Sequence, residues 1–76
     1  MAKRSYTIIV EKGKGNYGAY APDLPGCVAV GDTVEETVRE MKEAIEFHLE
    51  GLRAEGLPIP RPRTISRLIE LELPAA

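Results

Sequence analysis

Residues 17–36 constrain the fold more than any other part of the chain. Pro22 and Pro25 fix φ and Gly26 permits a positive φ, so the connection between two β-prone runs is a stiff turn. Thr33 and Glu36 then match the Ser/Thr-x-x-Glu capping box that starts a helix. The segment therefore predicts a strand, a rigid turn, a second strand and a capped helix in direct succession.

Alternation of apolar and polar residues predicts four strands along the chain. They are residues 5–12, 17–21, 27–30 and 67–73. In the last of these, Ile69, Leu71 and Leu73 share one face, and Glu70 and Glu72 share the other. A Gly-rich hairpin loop at residues 12–16 joins the first two strands.

The predicted helix covers residues 34–55, and Gly56 and Pro58 stop it. Its apolar residues recur at spacings of three and four, which places them on one face. They are Val34, Val38, Met41, Ile45, Leu49 and Leu52.

The order β-β-β-α-β indicates an α+β fold and a single domain over residues 1–76. We expect an antiparallel meander of three strands with the amphipathic helix on one face. We expect the last strand to return by a right-handed crossover and to lie beside the first, parallel to it. The first part of ribonuclease H has the same order of elements.

A chain of 76 residues with one cysteine has a small core and no disulfide to support it. Oligomerisation is the cheapest remaining source of stability, so we expect a homo-oligomer. Its interface is predicted at Ile9 and Tyr20 on the second sheet face and at Phe47 on the helix exterior.

The net charge of −2 argues against nucleic acid as the main partner and suits a basic protein partner. A single cysteine fits a reducing compartment, and no signal peptide or bilayer-length apolar run is visible, so we expect a cytoplasmic protein. Asn16 is the only asparagine and glutamine is absent, which favours a thermophile source.

No pattern of residues predicts a cofactor, a metal or catalysis. Cys27 has no second cysteine at CxxC spacing and no base beside it, so we predict a core residue. His48 has no further ligand at metal-binding spacing, so we predict a half-buried helix residue. A two-metal nuclease would need several carboxylates, and Glu11, Glu36 and Glu70 are the candidates. Glu36 is better explained by the capping box and Glu70 by strand alternation. We therefore expect a protein that is not an enzyme.

Two features of the sequence allow two interpretations each. Arg61, Arg63 and Arg67 form a basic cluster that is either a solvated loop or a contact to an acidic or nucleic-acid surface. Phe47 lies off the apolar stripe, among glutamates. It is either a docking site for another chain or folded against the loop at residues 57–60.

Five motifs occur together along the chain. They are the Tyr17-x-Ala19 strand, the Pro-Asp-Leu-Pro-Gly-Cys turn at 22–27, Gly31-Asp32-Thr33 followed by two glutamates, the helix segment 43–45 and the late run 56–60. Together they resemble the motifs of the HicB family of antitoxin-like proteins, over about residues 6–62.

The resemblance implies a partial ribonuclease-H-like fold without catalysis, which binds and neutralises a small, basic HicA-type toxin that cleaves messenger RNA. Acidic residues and the stiff turn would then face the toxin. The expected contacts are Asp23, Leu24, Glu36, Glu40, Glu43 and Glu50. The alternatives are an oligomeric scaffold of the same fold without a toxin, or a nucleic-acid-binding regulator. Direct DNA binding is not expected, because one strand rather than a helix pair is predicted after residue 62.

Overall fold

The computed structural model describes residues 3–75, and in them one antiparallel sheet of three strands is covered by one helix. The sheet has the order β1-β2-β3, so β1 and β3 are its edges. The elements are β1 (Ile9–Lys12), β2 (Tyr17–Tyr20), β3 (Val28–Gly31) and α1 (Val34–Ala54). The predicted α+β class, the meander and the position of the helix are confirmed.

The strand register decides which residues face the helix. Val10, Ala19 and Ala29 are paired across the three strands and lie on the helix side. Ile9, Tyr20 and Val28 form the neighbouring row, and alternation along each strand turns them to the opposite face. Ala19 is 4% exposed whereas Tyr20 is 41% exposed, so the helix covers one face of the sheet and leaves the other open.

The turn between β2 and β3 brings core side chains beneath the helix. Its backbone is closed by two hydrogen bonds, from Leu24 N–H to the Ala21 carbonyl (3.0 Å) and from Cys27 N–H to the Leu24 carbonyl (3.1 Å). Gly26 has a φ of 82°, which other residues adopt only with strain. The turn thereby buries Leu24 completely and leaves Cys27 4% exposed.

The start of α1 matches the predicted cap. The Thr33 Oγ1 accepts from the Glu36 backbone N–H at 3.0 Å, so one otherwise unpaired donor of the first turn is satisfied. At the other end, Gly56 has a φ of 71°, and its N–H donates to the Arg53 carbonyl. The helix therefore ends one residue earlier than predicted, at Ala54.

The buried face of α1 is rotated relative to the predicted apolar stripe. Thr37 and Met41 are fully buried, while Val34 and Val38 are 42% and 43% exposed. The Thr37 hydroxyl donates to the Thr33 carbonyl at 2.7 Å, so its burial leaves no polar group unpaired. Hydrophobic spacing alone did not predict a fully buried threonine on this helix.

Gly31, the last residue of β3, approaches Thr37 closely. A Cβ atom on Gly31 would lie 2.7 Å from Thr37 Oγ1 and 2.9 Å from Thr37 N. Because backbone atoms block it, the sheet and the helix would have to separate. The absence of a side chain at Gly31 therefore sets the spacing between the two layers.

The predicted fourth strand at residues 67–73 is not formed. Residues 57–75 contain no strand and make no ladder with β1. The chain is instead fixed at Arg63 and Thr64 by the side chain of Asp23, and beyond this point its apolar residues are exposed. The other strands are formed, and the first is shorter than predicted because pairing with β2 begins only at Ile9.

We predict that Gly31→Ala destabilises the fold by about 1–3 kcal/mol, because the new methyl group overpacks the contact with Thr37. Gly51→Ala is the matched control, since a Cβ there meets nothing within 4 Å. In the helix this change should stabilise by up to about 1 kcal/mol. Chemical denaturation measures both, and an equal response of the two variants would contradict the tight helix–sheet contact.

We predict that Thr33→Ala costs about 1 kcal/mol through the lost cap, whereas Met41→Ala costs roughly 2–5 kcal/mol through a core cavity. The order follows from Met41 being fully buried and the Thr33 bond being exposed. Thermal melts that rank the cap variant as the less stable one would show that the helix packs on a different face.

Candidate partner-binding surfaces

Asp23 joins the turn to the C-terminal part of the chain. Its Oδ2 accepts from the backbone N–H groups of Arg63 and Thr64, each at 2.9 Å, and its Oδ1 accepts from the Thr64 hydroxyl at 2.8 Å. These partners lie 40 and 41 residues later in the chain. The carboxylate therefore fixes the path of the chain.

These bonds also stabilise the charged form of Asp23. The backbone N–H of Thr64, then that of Arg63 and then the Thr64 hydroxyl hold the pKa of this carboxyl below its ordinary value of 3.8. A group whose pKa is lowered in the folded state stabilises it fully above the ordinary value. That stabilisation is lost as the pH falls through the lower folded-state pKa.

Two further bonds secure the same segment to the residues before β1. The Tyr6 hydroxyl donates to the Pro60 carbonyl at 2.6 Å, and the Thr7 hydroxyl donates to the Thr64 carbonyl at 2.9 Å. Residues 60–64 are thus held at both ends, and the side chains of Arg61 and Arg63 stay exposed.

The outer face of α1 carries an acidic stripe with an aromatic residue inside it. Its residues recur at spacings of four, three, four and three, which places them on one side of the helix. They are Glu36, Glu40, Glu43, Phe47 and Glu50, which we call the acidic stripe. Phe47 is 83% exposed, so it is not folded against the loop at residues 57–60.

The side chains of the stripe differ in their surroundings. Glu36 is half-buried near the cap, and Glu40 and Glu43 are exposed. Glu50 lies 4.0 Å from the Arg53 guanidinium in an exposed pair, an arrangement of small energetic value. The charge most available to a partner is therefore that of Glu40 and Glu43, which lie two turns and one turn before Phe47.

A groove lies beside Phe47, between α1 and the β3 edge, with a volume of about 480 Å³. Val28 and Gly26 line its sheet side, and Ala44 and Gly51 line its helix side. We call it the β3 groove. Small residues on α1 keep it open next to an exposed aromatic ring, which is the shape that a protruding side chain of a partner can fill.

A larger groove lies on the opposite side of α1, beside the segment that leads into β1, with a volume of about 580 Å³. Tyr6 and Ile8 line it from the sheet layer, and Val38, Ile45 and Leu49 line it from the helix. We call it the β1 groove. Arg4, Lys42 and Glu46 stand among its lining residues, so an apolar channel is bordered by charge.

The sheet face away from the helix is also apolar. Ile9, Tyr20 and Val28 are paired across its three strands, and Val30 continues the patch. Val28 and Val30 are each 65% exposed, and Ile9 is half-buried. The predicted oligomer contacts Ile9 and Tyr20 therefore lie together, whereas Phe47 lies on the other side of the molecule.

Leu24 has a different place from that expected of a toxin contact. It is fully buried in the core, so its side chain supports the turn from inside instead of offering a surface. Asp23 is half-buried and engaged by residues 63 and 64. The turn and the acidic stripe are thus separate features, and the stripe is exposed from Glu40 to Glu50.

The residues considered for catalysis are not brought together. Glu11 lies on β1, Glu36 on α1 and Glu70 beyond residue 64. In residues 3–75 no three His, Cys, Asp or Glu side chains lie close enough to hold a metal ion. Cys27 is buried, and desolvation raises the pKa of its thiol, which lowers its reactivity.

No helix in residues 3–75 is both long enough and apolar enough to cross a membrane.

Comparison with known proteins identifies a family. The model of the HicB-like antitoxins of bacterial toxin–antitoxin systems matches residues 6–72. A UPF0150 protein of Synechocystis is 40% identical over 68 residues, which cover 88% of this chain and 86% of that protein. A UPF0150 protein of Thermoplasma acidophilum is 40% identical over 57 residues, which cover 74% and 83% of the two chains.

Two further matches differ in how much of the other protein they cover. A protein from the rep-hol intergenic region of Haemophilus phage HP1 is 39% identical over 64 residues, and the chain spans only 48% of its length. A solved structure described as a HicA3 and HicB3 toxin–antitoxin complex matches with a TM-score of 0.68 and 33% identity. That match covers 78% of this chain and 70% of the other.

We predict that Asp23→Asn releases residues 63 and 64 from the turn. The asparagine amide has one acceptor oxygen and no charge, whereas the carboxylate accepts three hydrogen bonds through two oxygens. Amide exchange at Arg63 and Thr64 should accelerate at neutral pH, while exchange in the β2 ladder stays slow. Asp32→Asn, an exposed position next to the helix cap, is the matched control.

In the native protein the same release should occur on acidification. The amide resonances of Arg63 and Thr64 should shift with a midpoint below 3.8, the ordinary pKa of the carboxyl. Unchanged exchange in Asp23→Asn, or a midpoint above 3.8, would show that the bonds do not form in solution.

Proposed function

The chain belongs to the family of HicB-like antitoxins, and from this premise we propose that it binds and neutralises a small, basic HicA-type toxin in the cytoplasm. The structural match described as a HicA3 and HicB3 complex supports a toxin as the kind of partner. The binding would mask the toxin's RNA-cleaving site, and the chain itself would contribute no catalytic group.

The observation that carries the proposal is the exposed Phe47 within the acidic stripe. Large aromatic side chains supply much of the binding energy of protein interfaces when a partner covers them. Phe47 is 83% exposed and has the β3 groove beside it, so it offers a protrusion and a recess on one surface. This combination suits a partner with its own apolar pocket.

The charge of the stripe suits a basic partner. Glu40 and Glu43 are exposed next to Phe47, and opposite charge accelerates encounter and orients the partner before contact. An RNA-binding toxin carries positive charge where it holds RNA. Occupation of that surface by carboxylates would exclude the RNA.

The rigidity of the scaffold favours binding as well. The stripe lies on a 21-residue helix that is capped at Thr33 and packed through Thr37 and Met41. Little conformational freedom is lost when a partner binds to such a surface. The buried Leu24 contributes indirectly, because it supports the helix from the opposite side.

The exposed arginine segment at residues 61–67 is the rival surface. Its side chains would pair with acidic groups of a partner, and it would also serve a nucleic-acid-binding regulator. The net charge of −2 favours the acidic stripe as the main contact with a basic protein.

The function is tested by co-expression. A HicA-type toxin from the source genome is induced in a reporter strain, and growth should recover when this chain is co-expressed. Purified chain should also inhibit cleavage of a labelled messenger RNA at stoichiometric, not catalytic, amounts. Failure to restore growth, together with no complex in gel filtration, would reject the antitoxin function.

We predict that Phe47→Ala weakens toxin binding about 30-fold or more, because loss of a central interface aromatic costs on the order of 2 kcal/mol. Calorimetric titration measures the change. Val30→Ala, which trims an exposed apolar residue on the opposite sheet face, is the control and should bind normally. Weakened binding by Val30→Ala together with normal binding by Phe47→Ala would place the interface on the sheet.

We predict that Glu40→Lys with Glu43→Lys slows association with the toxin, and that the difference from the native chain shrinks as salt is added. The double variant Glu11→Lys with Glu35→Lys makes the same change in net charge off the stripe. Stopped-flow association rates compare the two. If both variants slow association equally, net charge matters and the stripe does not.

A further inference from the structure

The last part of the chain, residues 65–75, is an apolar arm without a partner in its own fold. Beyond the contact with Asp23 its large side chains are strongly exposed. The exposed fractions are 73% for Ile65, 102% for Leu68, 81% for Ile69, 74% for Leu71 and 82% for Leu73. Five large aliphatic side chains in a run of eleven residues exceed what scattered surface residues show, and such patches mark interaction sites.

The arm changes the shape of the whole molecule. The radius of gyration is 15.2 Å, and the longest dimension is 55 Å against 27 and 21 Å for the other two. A compact chain of this length has a radius of gyration of about 11 Å. The described chain is therefore a small body with a projecting arm.

The β1 groove offers a complementary surface. It is lined by aliphatic and aromatic side chains of Tyr6, Ile8, Val38 and Ile45, and its sheet-layer side is formed by residues that lead directly into the edge strand β1. An edge strand presents unpaired backbone N–H and C=O groups, to which an extended segment can add as a further strand. An added strand there would turn every second side chain towards the groove.

The sequence of the arm fits this site. Ile69, Leu71 and Leu73 alternate with Glu70 and Glu72, which is the pattern of a strand with one apolar face. The charges are complementary too. The groove has two cations, Arg4 and Lys42, and one carboxylate, Glu46, whereas the arm has one cation, Arg67, and two carboxylates.

The path of the chain directs the arm away from its own groove. Ile59 lines the β1 groove beside Tyr6. By Thr64 the chain has crossed to the side of Thr7, whose hydroxyl donates to the Thr64 carbonyl. Tyr6 and Thr7 are neighbours in a segment whose alternate residues, Arg4, Tyr6 and Ile8, line the groove, so Thr7 lies on the other side. Asp23 then fixes the chain there.

We propose that this protein forms a twofold dimer by arm exchange, in which residues 65–75 of each copy add to the β1 edge of the other and fill its β1 groove. Both copies then bury the same two surfaces, as a closed twofold contact requires. The dimer covers the arm and the β1 groove and leaves Phe47 and the acidic stripe open on each copy. The inference is independent of the toxin.

Cross-linking tests the exchange directly. One chain carries Leu71→Cys on the arm, and a second chain carries Val38→Cys in the groove. Val38 is 43% exposed, and native Cys27 is buried. Mixed and oxidised, the two chains should form a covalent heterodimer of twice the chain mass. The control pair places the second cysteine at Val30, on the opposite sheet face, and should remain largely uncrosslinked.

A chain that carries both Leu71→Cys and Val38→Cys distinguishes exchange of arms between two copies from packing of the arm in its own groove. Exchange predicts covalent dimers that persist when the chains are oxidised at low concentration. An internal disulfide at the mass of one chain would overturn the proposal, because the arm would then fill its own groove.

Light scattering provides a second test that needs no introduced cysteine. The native chain at tens of micromolar should have twice the chain mass. The double variant Ile69→Asp with Leu71→Asp should have the mass of one chain, and its circular dichroism spectrum should show that it remains folded. Val28→Asp with Val30→Asp should leave the dimer intact. A monomeric native chain, or a dimer that is lost only in the sheet-face variant, would overturn arm exchange.

Discussion

The turn between β2 and β3 is the constraint on which the rest of the structure depends. Its two backbone hydrogen bonds and the positive φ of Gly26 bury Leu24 and Cys27 beneath α1, which gives a small domain a core without a disulfide. On its outer side the same turn presents Asp23, whose carboxylate holds Arg63 and Thr64. One short connection thus determines both the packing of the helix and the direction in which the chain leaves the body.

The second constraint is that the only helix of residues 3–75 covers one face of a three-stranded sheet. A two-layer arrangement of this size leaves an apolar sheet face, two strand edges and the outer side of the helix uncovered. The fold therefore has more binding surface than it has core. The uncovered surfaces are separate from one another: the acidic stripe lies on α1, the β1 groove lies on one side of the helix, and the apolar patch lies on the sheet face away from the helix.

The antitoxin proposal and the arm-exchange proposal use different parts of this surface and are compatible. The toxin would meet Phe47 and the exposed Glu40 and Glu43, whereas a second copy would cover the β1 groove. A dimer would then present two acidic stripes. Two linked sites raise the avidity for a partner that itself has two copies, but only when their spacing allows both to be engaged.

The sequence by itself determined the local structure and the family. Prolines, glycine and the Thr33–Glu36 cap act on neighbouring residues, so the turn, the helix start and the strand order could be predicted before any contact was known. Tertiary structure decided the rest. Thr37 is buried because Gly31 lets the helix approach, and Leu24 is buried rather than exposed because the turn folds inwards. Residues 67–73 have the alternation of a strand but form none, because Asp23, more than 40 residues earlier, directs the chain away from the edge that would have paired with it. Periodicity shows that a segment can pair, and only the path of the chain determines with what.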